Sequence, residues 1–133
     1  MGAVRSAARD ARLSDRVHVM GHREDVPDWL AASTVWMLPT ERENFSLAVL
    51  EALAAGCAIL STPCSGNDEV LADGVNALVH PVGDVAVARA HLRTLLSDPE
   101  LRTLLSINAR ATASHYGVAR MAARYRAVYE AAL

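Results

Sequence analysis

Apolar and polar positions alternate in short blocks through the first eighty residues, and the period of the pattern switches from block to block. Residues 16–20, RVHVM, set Val17 and Val19 two apart between polar neighbours, the period of a strand, and Gly21 closes the run. Residues 34–38, TVWML, form a second apolar run of strand length, 58–61, AILS, a third and 77–80, ALVH, a fourth. Helical spacing fills the intervals. Residues 3–12 read as a short helix with Arg5, Arg9 and Arg12 on or near one face, and 26–32 as a helix with Pro27 in its first turn. Residues 46–55 form a central helix stopped by Gly56, and 68–72 a short one. Strands alternating with helices predict an α/β fold, a parallel sheet with helices flanking it.

From residue 84 onward the pattern is helical only. Asp84 suits the N-cap of a helix over 85–96, Ser97-Asp98-Pro99 restarts a second that runs to 114, and Tyr116-Gly117 breaks it before a third over 118–132. In that last helix Val118, Met121, Ala122, Tyr125, Val128 and Tyr129 recur three and four apart and make one apolar stripe. The stripe suits packing on this domain's own core or on another domain equally well. The chain thus reads as one domain, 1–133, with βα units over 1–83 and a helical tail over 84–133.

Composition narrows the picture. At 133 residues, 52% of them hydrophobic but only 5% aromatic, the chain can bury one core built mainly of Ala, Leu and Val. A formal net charge of −2 argues against a partner such as nucleic acid held by bulk electrostatics. No apolar run approaches the ~20 residues a membrane span requires, and residues 1–12 lack the apolar centre of a secretory signal. Cys57 and Cys64, on and just after a strand, read as reduced structural thiols in a cytoplasmic protein, and no His or Cys spacing predicts a metal site.

Chemistry concentrates in residues 40–62, TERENFSLAVLEALAAGCAILST, where Glu43 and Glu51 stand eight positions apart around the start of the central helix. In α/β sheets ligands sit beyond the carboxyl ends of the strands, where this loop and helix start lie. The amides of Phe45, Ser46 and Leu47 would form an anion site there, because the first N–H groups of a helix lack intrahelical acceptors and sit at the positive end of its dipole. Ser46 also suits the N-cap, and the two roles are compatible. An ionised carboxylate only accepts, so Glu43 and Glu51 suit hydroxyl donors. A glycosidase acid–nucleophile pair needs carboxyls about 5–9.5 Å apart across one bond. Two helical turns at ~1.5 Å per residue suit a grip on two parts of a long ligand better.

The run Glu43-Asn44-Phe45-Ser46-Leu47-Ala48-Val49-Leu50-Glu51, followed by Ala52-Leu53-Ala54-Ala55-Gly56, resembles the Glu-x7-Glu element of retaining GT-B glycosyltransferases. That family includes sucrose, mannosyl and capsule-sugar transferases. A second block, Ser65-Gly66-Asn67-Asp68-Glu69 and then Asp73-Gly74-Val75-Asn76-Ala77-Leu78-Val79, looks like the family's Gly-x-x-Glu loop and the turn and strand after it. The resemblance implies a Rossmann-like donor-binding domain, the C-terminal half of a GT-B fold. It covers only the later two-thirds or so of that domain, with the diphosphate-clasping Arg–Lys loop and the acceptor domain missing.

By the same resemblance Glu43 contacts donor-sugar hydroxyls and is the catalytic candidate, while Glu51 takes the ribose diol. Asn44, Phe45, Ser46 and Leu47 line the diphosphate, and Gly21, His22 and Arg23 form the loop near the nucleobase. Gly66 and Glu69 border the same cleft. Asn44 and Ser46 stand where the family often has glycine, which puts donor orientation in question. The implied function is transfer of a hexosyl group from a UDP-, GDP- or ADP-sugar to a glycan or lipid-linked acceptor, with retention and without metal or other cofactor. The resemblance also leaves room for peripheral membrane association of a full enzyme. Two alternatives stay open: a catalytically incomplete nucleotide-sugar-binding fragment that needs a partner domain, and a sugar-nucleotide epimerase-like protein. An exposed sheet edge at the cut would favour self-association of such a fragment.

Overall fold

A computed structural model describes residues 2–132. Its elements in chain order are α1 (Gly2–Asp10), α2 (Val26–Ala32), β1 (Trp36–Leu38), α3 (Leu47–Ala55), β2 (Ile59–Ser61), β3 (Leu78–Val79), α4 (Val85–Ser97), α5 (Pro99–Ala113), a 3-10 turn (Ser114–Tyr116) and α6 (Val118–Ala131). The strands form one parallel sheet in the order β1-β2-β3, with Trp36 beside Ile59 and Leu60 beside Leu78. Parallel strands need crossover connections, and α3 is the crossover between β1 and β2.

Both faces of β2 are buried, as a parallel sheet with helices on either side requires. Alternation along the strand sorts the core. Ile59 joins Val49, Ala52 and Leu53 of α3 and Val70, Leu71 and Ala109 on one face, while Ala58 and Leu60 join Leu78, Leu95 and Leu105 on the other. Each large aliphatic side chain buried this way contributes roughly 1.5–3 kcal/mol relative to exposure.

Helix α3 is fixed at both ends by local chemistry. Ser46 is its N-cap and its hydroxyl accepts from the Val49 amide at 3.4 Å. Gly56 ends it in the left-handed region at φ 73°, with the Gly56 amide donating to Leu53 O and the Cys57 amide to Ala52 O. A Cβ at Gly56 would also stand 2.3 Å from Cζ of Arg110, whose Nη2 donates to Ala55 O at 3.0 Å. The angle disfavours any side chain there, and one would also displace the Arg110 guanidinium from Ala55 O.

Two expected elements do not form. Residues 16–20 form no strand: Arg16 and Val17 amides close a turn onto Leu13 O, and the sheet ends at β1 with no described strand alongside them. The sole bond recorded to that run's carbonyls among the described residues is from Arg5 Nη2 to Val19 O, 3.4 Å, which is not a ladder. Residues 65–70 make successive turns instead of the helix expected over 68–72. Asp68 and Leu71 amides donate to Cys64 O and Asn67 O, but the Ala72 amide donates to Oδ1 of Asn76 at 2.8 Å. A side chain downstream takes the donor that would have continued a helix.

The apolar stripe of α6 does not pack on the core of this domain. No residue of α6 is buried, and Val118, Met121, Tyr125, Val128 and Tyr129 are all exposed.

Candidate functional site

The loop that follows β1 carries Glu43, and β2 holds it in place. Ser61 Oγ donates to Leu38 O at 2.9 Å, and Thr62 Oγ1 donates to Thr40 O, so the last residues of β2 clamp the start of the loop. Gly66, at φ 85°, supports the other end: a Cβ there would lie 1.8 Å from Asn44 O. Only glycine lets the two loops approach backbone to backbone. The Gly66 amide is taken by Asp68 Oδ1 at 3.0 Å, which shapes the turn.

Within this frame Glu43 is half-buried and Asn44, Phe45 and Leu47 are exposed, Leu47 by 70%. No described residue forms an ion pair with the Glu43 carboxylate. Among the described residues the amides of Phe45, Ser46, Leu47 and Ala48 donate to no protein acceptor, while Val49 is satisfied by the Ser46 cap. The α3 N-terminus therefore presents consecutive free donors at the positive end of a helix dipole, beyond the carboxyl end of β1.

Grooves open on both sides of α3. On one side Phe45, Leu47, Leu50 and Glu69 face Tyr116 and Met121 across a cavity of about 580 Å³. The Phe45 and Tyr116 rings lie 5.8 Å apart at 47°, a tilted pair, and Tyr116 Oη donates to Glu69 O at 3.4 Å. On the other side Glu51 lines a cavity of about 640 Å³ between α2 and α3. Leu47 and Glu51, four residues apart on α3, thus line different grooves.

Gly21, His22 and Arg23 line a third groove, of about 480 Å³, with Trp29 and Trp36. It shares Val26 and Leu30 with the Glu51 groove, so the two adjoin. Arg23 itself is engaged: its guanidinium grips Asp25 through Nε at 2.8 Å and Nη2 at 2.5 Å, and lies 5.7 Å from the Trp29 ring. That pairing holds the Asp25 carboxyl below the usual carboxylate range and raises Arg23. Arg23 is thus a clamp on its own loop.

The eleven expected site residues accordingly lie around α2 and α3, and those that line grooves are divided between the two sides of α3. Asn44 and Gly66 touch; Phe45, Leu47 and Glu69 share one groove; Ser46 caps the helix between the grooves; Glu51 and the Gly21–Arg23 loop occupy adjoining grooves on the far side. Three contributors were not singled out from the sequence. Tyr116 marked only a helix break, Glu24 lines the Glu51 groove, and Asn67 is fully buried with Nδ2 3.3 Å from Cys64 Sγ and 3.5 Å from Ser61 Oγ. Their partners lie far away in sequence for Tyr116 and Glu24, so no local period marks them.

Both cysteines are free and buried, as the reading of structural thiols requires. Burial pushes the Cys57 thiol up, against a smaller lowering by the Arg110 charge, so it stays protonated and unreactive at neutral pH. Among the described residues no group of three or more His, Cys, Asp or Glu side chains is placed to hold a metal. No helix is long and apolar enough to cross a membrane among them either.

Known proteins resemble this chain in sequence and fold. Residues 2–98 match the family described as Glycosyl transferases group 1. An N,N'-diacetylbacillosaminyl-diphospho-undecaprenol alpha-1,3-N-acetylgalactosaminyltransferase of Campylobacter jejuni is 32% identical over 117 residues, covering 88% of this chain and 31% of that protein. A D-inositol 3-phosphate glycosyltransferase of Streptomyces coelicolor is 33% identical over 112 residues, 84% of this chain and 24% of its own length. Among solved structures, Anabaena HepE in complex with UDP superposes with a TM-score of 0.87 at 22% identity, over 99% of this chain and 36% of its own. WaaG, a glycosyltransferase involved in lipopolysaccharide biosynthesis, superposes with a TM-score of 0.78 at 26% identity, over 85% and 31%. The chain spans about a third or less of the length of these relatives. A family match over most of its residues makes this chain a member of the glycosyl transferases group 1 family, with the parallel α/β sheet of the GT-B fold.

Proposed function

We propose that the chain is the donor-nucleotide part of a glycosyltransferase that moves a hexosyl group from a nucleotide-diphospho-sugar to a glycan or lipid-linked acceptor with retention. The single observation that carries this is the α3 N-terminus: consecutive unpaired amides, flanked by Glu43 in the preceding loop and Glu51 one turn into the helix. In transfer the bond from the anomeric carbon to the diphosphate oxygen breaks and its electron pair stays on that oxygen. The acceptor hydroxyl forms the new glycosidic bond, and its proton goes to the departing phosphate. Charge therefore develops on the diphosphate, and donors already aimed at that place lower the barrier without reorganising.

Glu43 accepts from hydroxyls of the donor sugar and Glu51 from the ribose diol, both as acceptor-only groups. Gly66 sets the position of Asn44 and hence of Glu43, and Glu69 borders the sugar side. His22 borders the base side with the backbone of Gly21 and Arg23. The whole unit, 1–83 with the tail 84–133, acts as one nucleotide-sugar-binding domain in the cytoplasm. In the whole enzyme Glu43→Ala is expected to lower turnover by at least about a hundredfold, with nucleotide diphosphate affinity within about threefold. Undiminished turnover would contradict the role given to Glu43.

A second reading has an observation of its own. The apolar face of α6 is covered by nothing in this domain, which favours a binding unit that turns over only when another domain seats on that face. Activity of the chain alone, measured as sugar transfer or donor hydrolysis, separates the two.

A further inference from the structure

The groove between α2 and α3 has an unusual lining. Its walls are apolar, Val26, Pro27, Leu30 and Ala54 among them, and its two ionisable lining side chains are Glu24 and Glu51. Neither carboxylate forms an ion pair with any described residue, and Arg23, next to Glu24, is committed to Asp25 and Trp29. The slot thus offers flat apolar surface and two acceptor-only groups, with no cation to balance them. A ligand that fits is apolar on its faces and carries hydrogen-bond donors on its edges.

Position orders the ligand. The free amide of Leu47 lies at the start of α3, and Glu51 stands four residues on, about 6 Å along the axis at 1.5 Å per residue. Glu24 lies across the groove, on the lip before α2 and next to the loop of Gly21 and His22. Anion site, first carboxylate, second carboxylate is the order of diphosphate, ribose and base in a nucleotide. A cavity of about 640 Å³ holds a nucleoside.

We propose that Glu24 reads the base of the donor and selects guanine, so that the donor is a GDP-sugar; this rests on the donor-site reading above. Guanine presents a ring N–H and an exocyclic amine side by side, two parallel donors that match the two oxygens of a carboxylate. Uracil presents one ring N–H between two carbonyl oxygens, which face the Glu24 carboxylate unfavourably. Adenine pairs its one amine with a ring acceptor. Removing a donor that a carboxylate is placed to accept leaves the acceptor unpaired, so discrimination is by loss as well as gain.

Calorimetric titration of the chain with GDP, IDP, ADP and UDP tests this. IDP keeps the ring N–H and lacks the exocyclic amine. GDP is expected to bind about tenfold more tightly than IDP, ADP or UDP, on the scale of one charge-assisted hydrogen bond. Glu24→Ala and Glu24→Gln should remove that advantage and leave UDP binding no weaker than before, since the carboxylate that opposes the uracil carbonyls is gone; circular dichroism reports that both variants fold. UDP or ADP binding as tightly as GDP, or a GDP preference that survives Glu24→Ala, overturns the assignment. Equal binding of all four nucleotides, weakened by Glu51→Ala, overturns this inference and leaves the donor site standing. No binding of any nucleotide overturns both.

Discussion

Gly66 shows how one residue sets the geometry of the site. Its φ of 85° and the 1.8 Å gap that a Cβ would leave to Asn44 O place two penalties on any side chain there. Gly66→Ala is therefore expected to push the loop carrying Glu43 away from β2 and to lower stability by about 1–3 kcal/mol. Thermal unfolding reads the second effect and nucleotide titration the first; an unchanged melting temperature with unchanged affinity would contradict the close approach. The motif around Gly66 was visible in the sequence, but its physical reason was not, because Asn44 is 22 positions away. Ser46 was different. A serine before an apolar helical run is a local signal, and it caps α3 as expected. Tyr116, stacked on Phe45 across a separation of 71 residues, left no such trace.

Among the elements, α3 was legible from Ser46 to Gly56 because both its ends carry their own chemistry. The strand expected over 16–20 had the right period but needed a neighbour, and period alone does not supply one. The helix expected over 68–72 fails through Asn76, whose Oδ1 captures the Ala72 amide while its Nδ2 donates to Val70 O at 2.8 Å and to Thr112 Oγ1 at 3.0 Å. This buried side chain ties the turn after β2 to α5. Asn76→Leu removes three hydrogen bonds and strands an amide and a carbonyl, so a loss of about 2–4 kcal/mol is expected. Hydrogen exchange offers a sharper check than stability alone: the Ala72 amide should lose its protection in Asn76→Leu, and protection retained would show that another acceptor holds it.

At the scale of the molecule, the α/β class, the parallel sheet and the helical tail followed from alternation and caps. The tail's destination did not, since one apolar stripe fits any apolar surface. In the structure that stripe is left uncovered, with Val118 76% and Val128 67% exposed. An uncovered apolar face of this length favours association. Sedimentation should show concentration-dependent assembly that Tyr125→Glu suppresses; a monomer at every concentration would contradict this. The account of the whole chain nevertheless depends less on α6 than on the start of α3.

Amide chemical shifts of the chain, followed while a nucleoside diphosphate is added, test that dependence most directly. The account predicts that Phe45, Ser46 and Leu47 move first and furthest, with Glu51 beside them, while α4 and the outer turns of α5 stay still. Shifts centred elsewhere, or an α3 N-terminus unmoved at saturation, would contradict it.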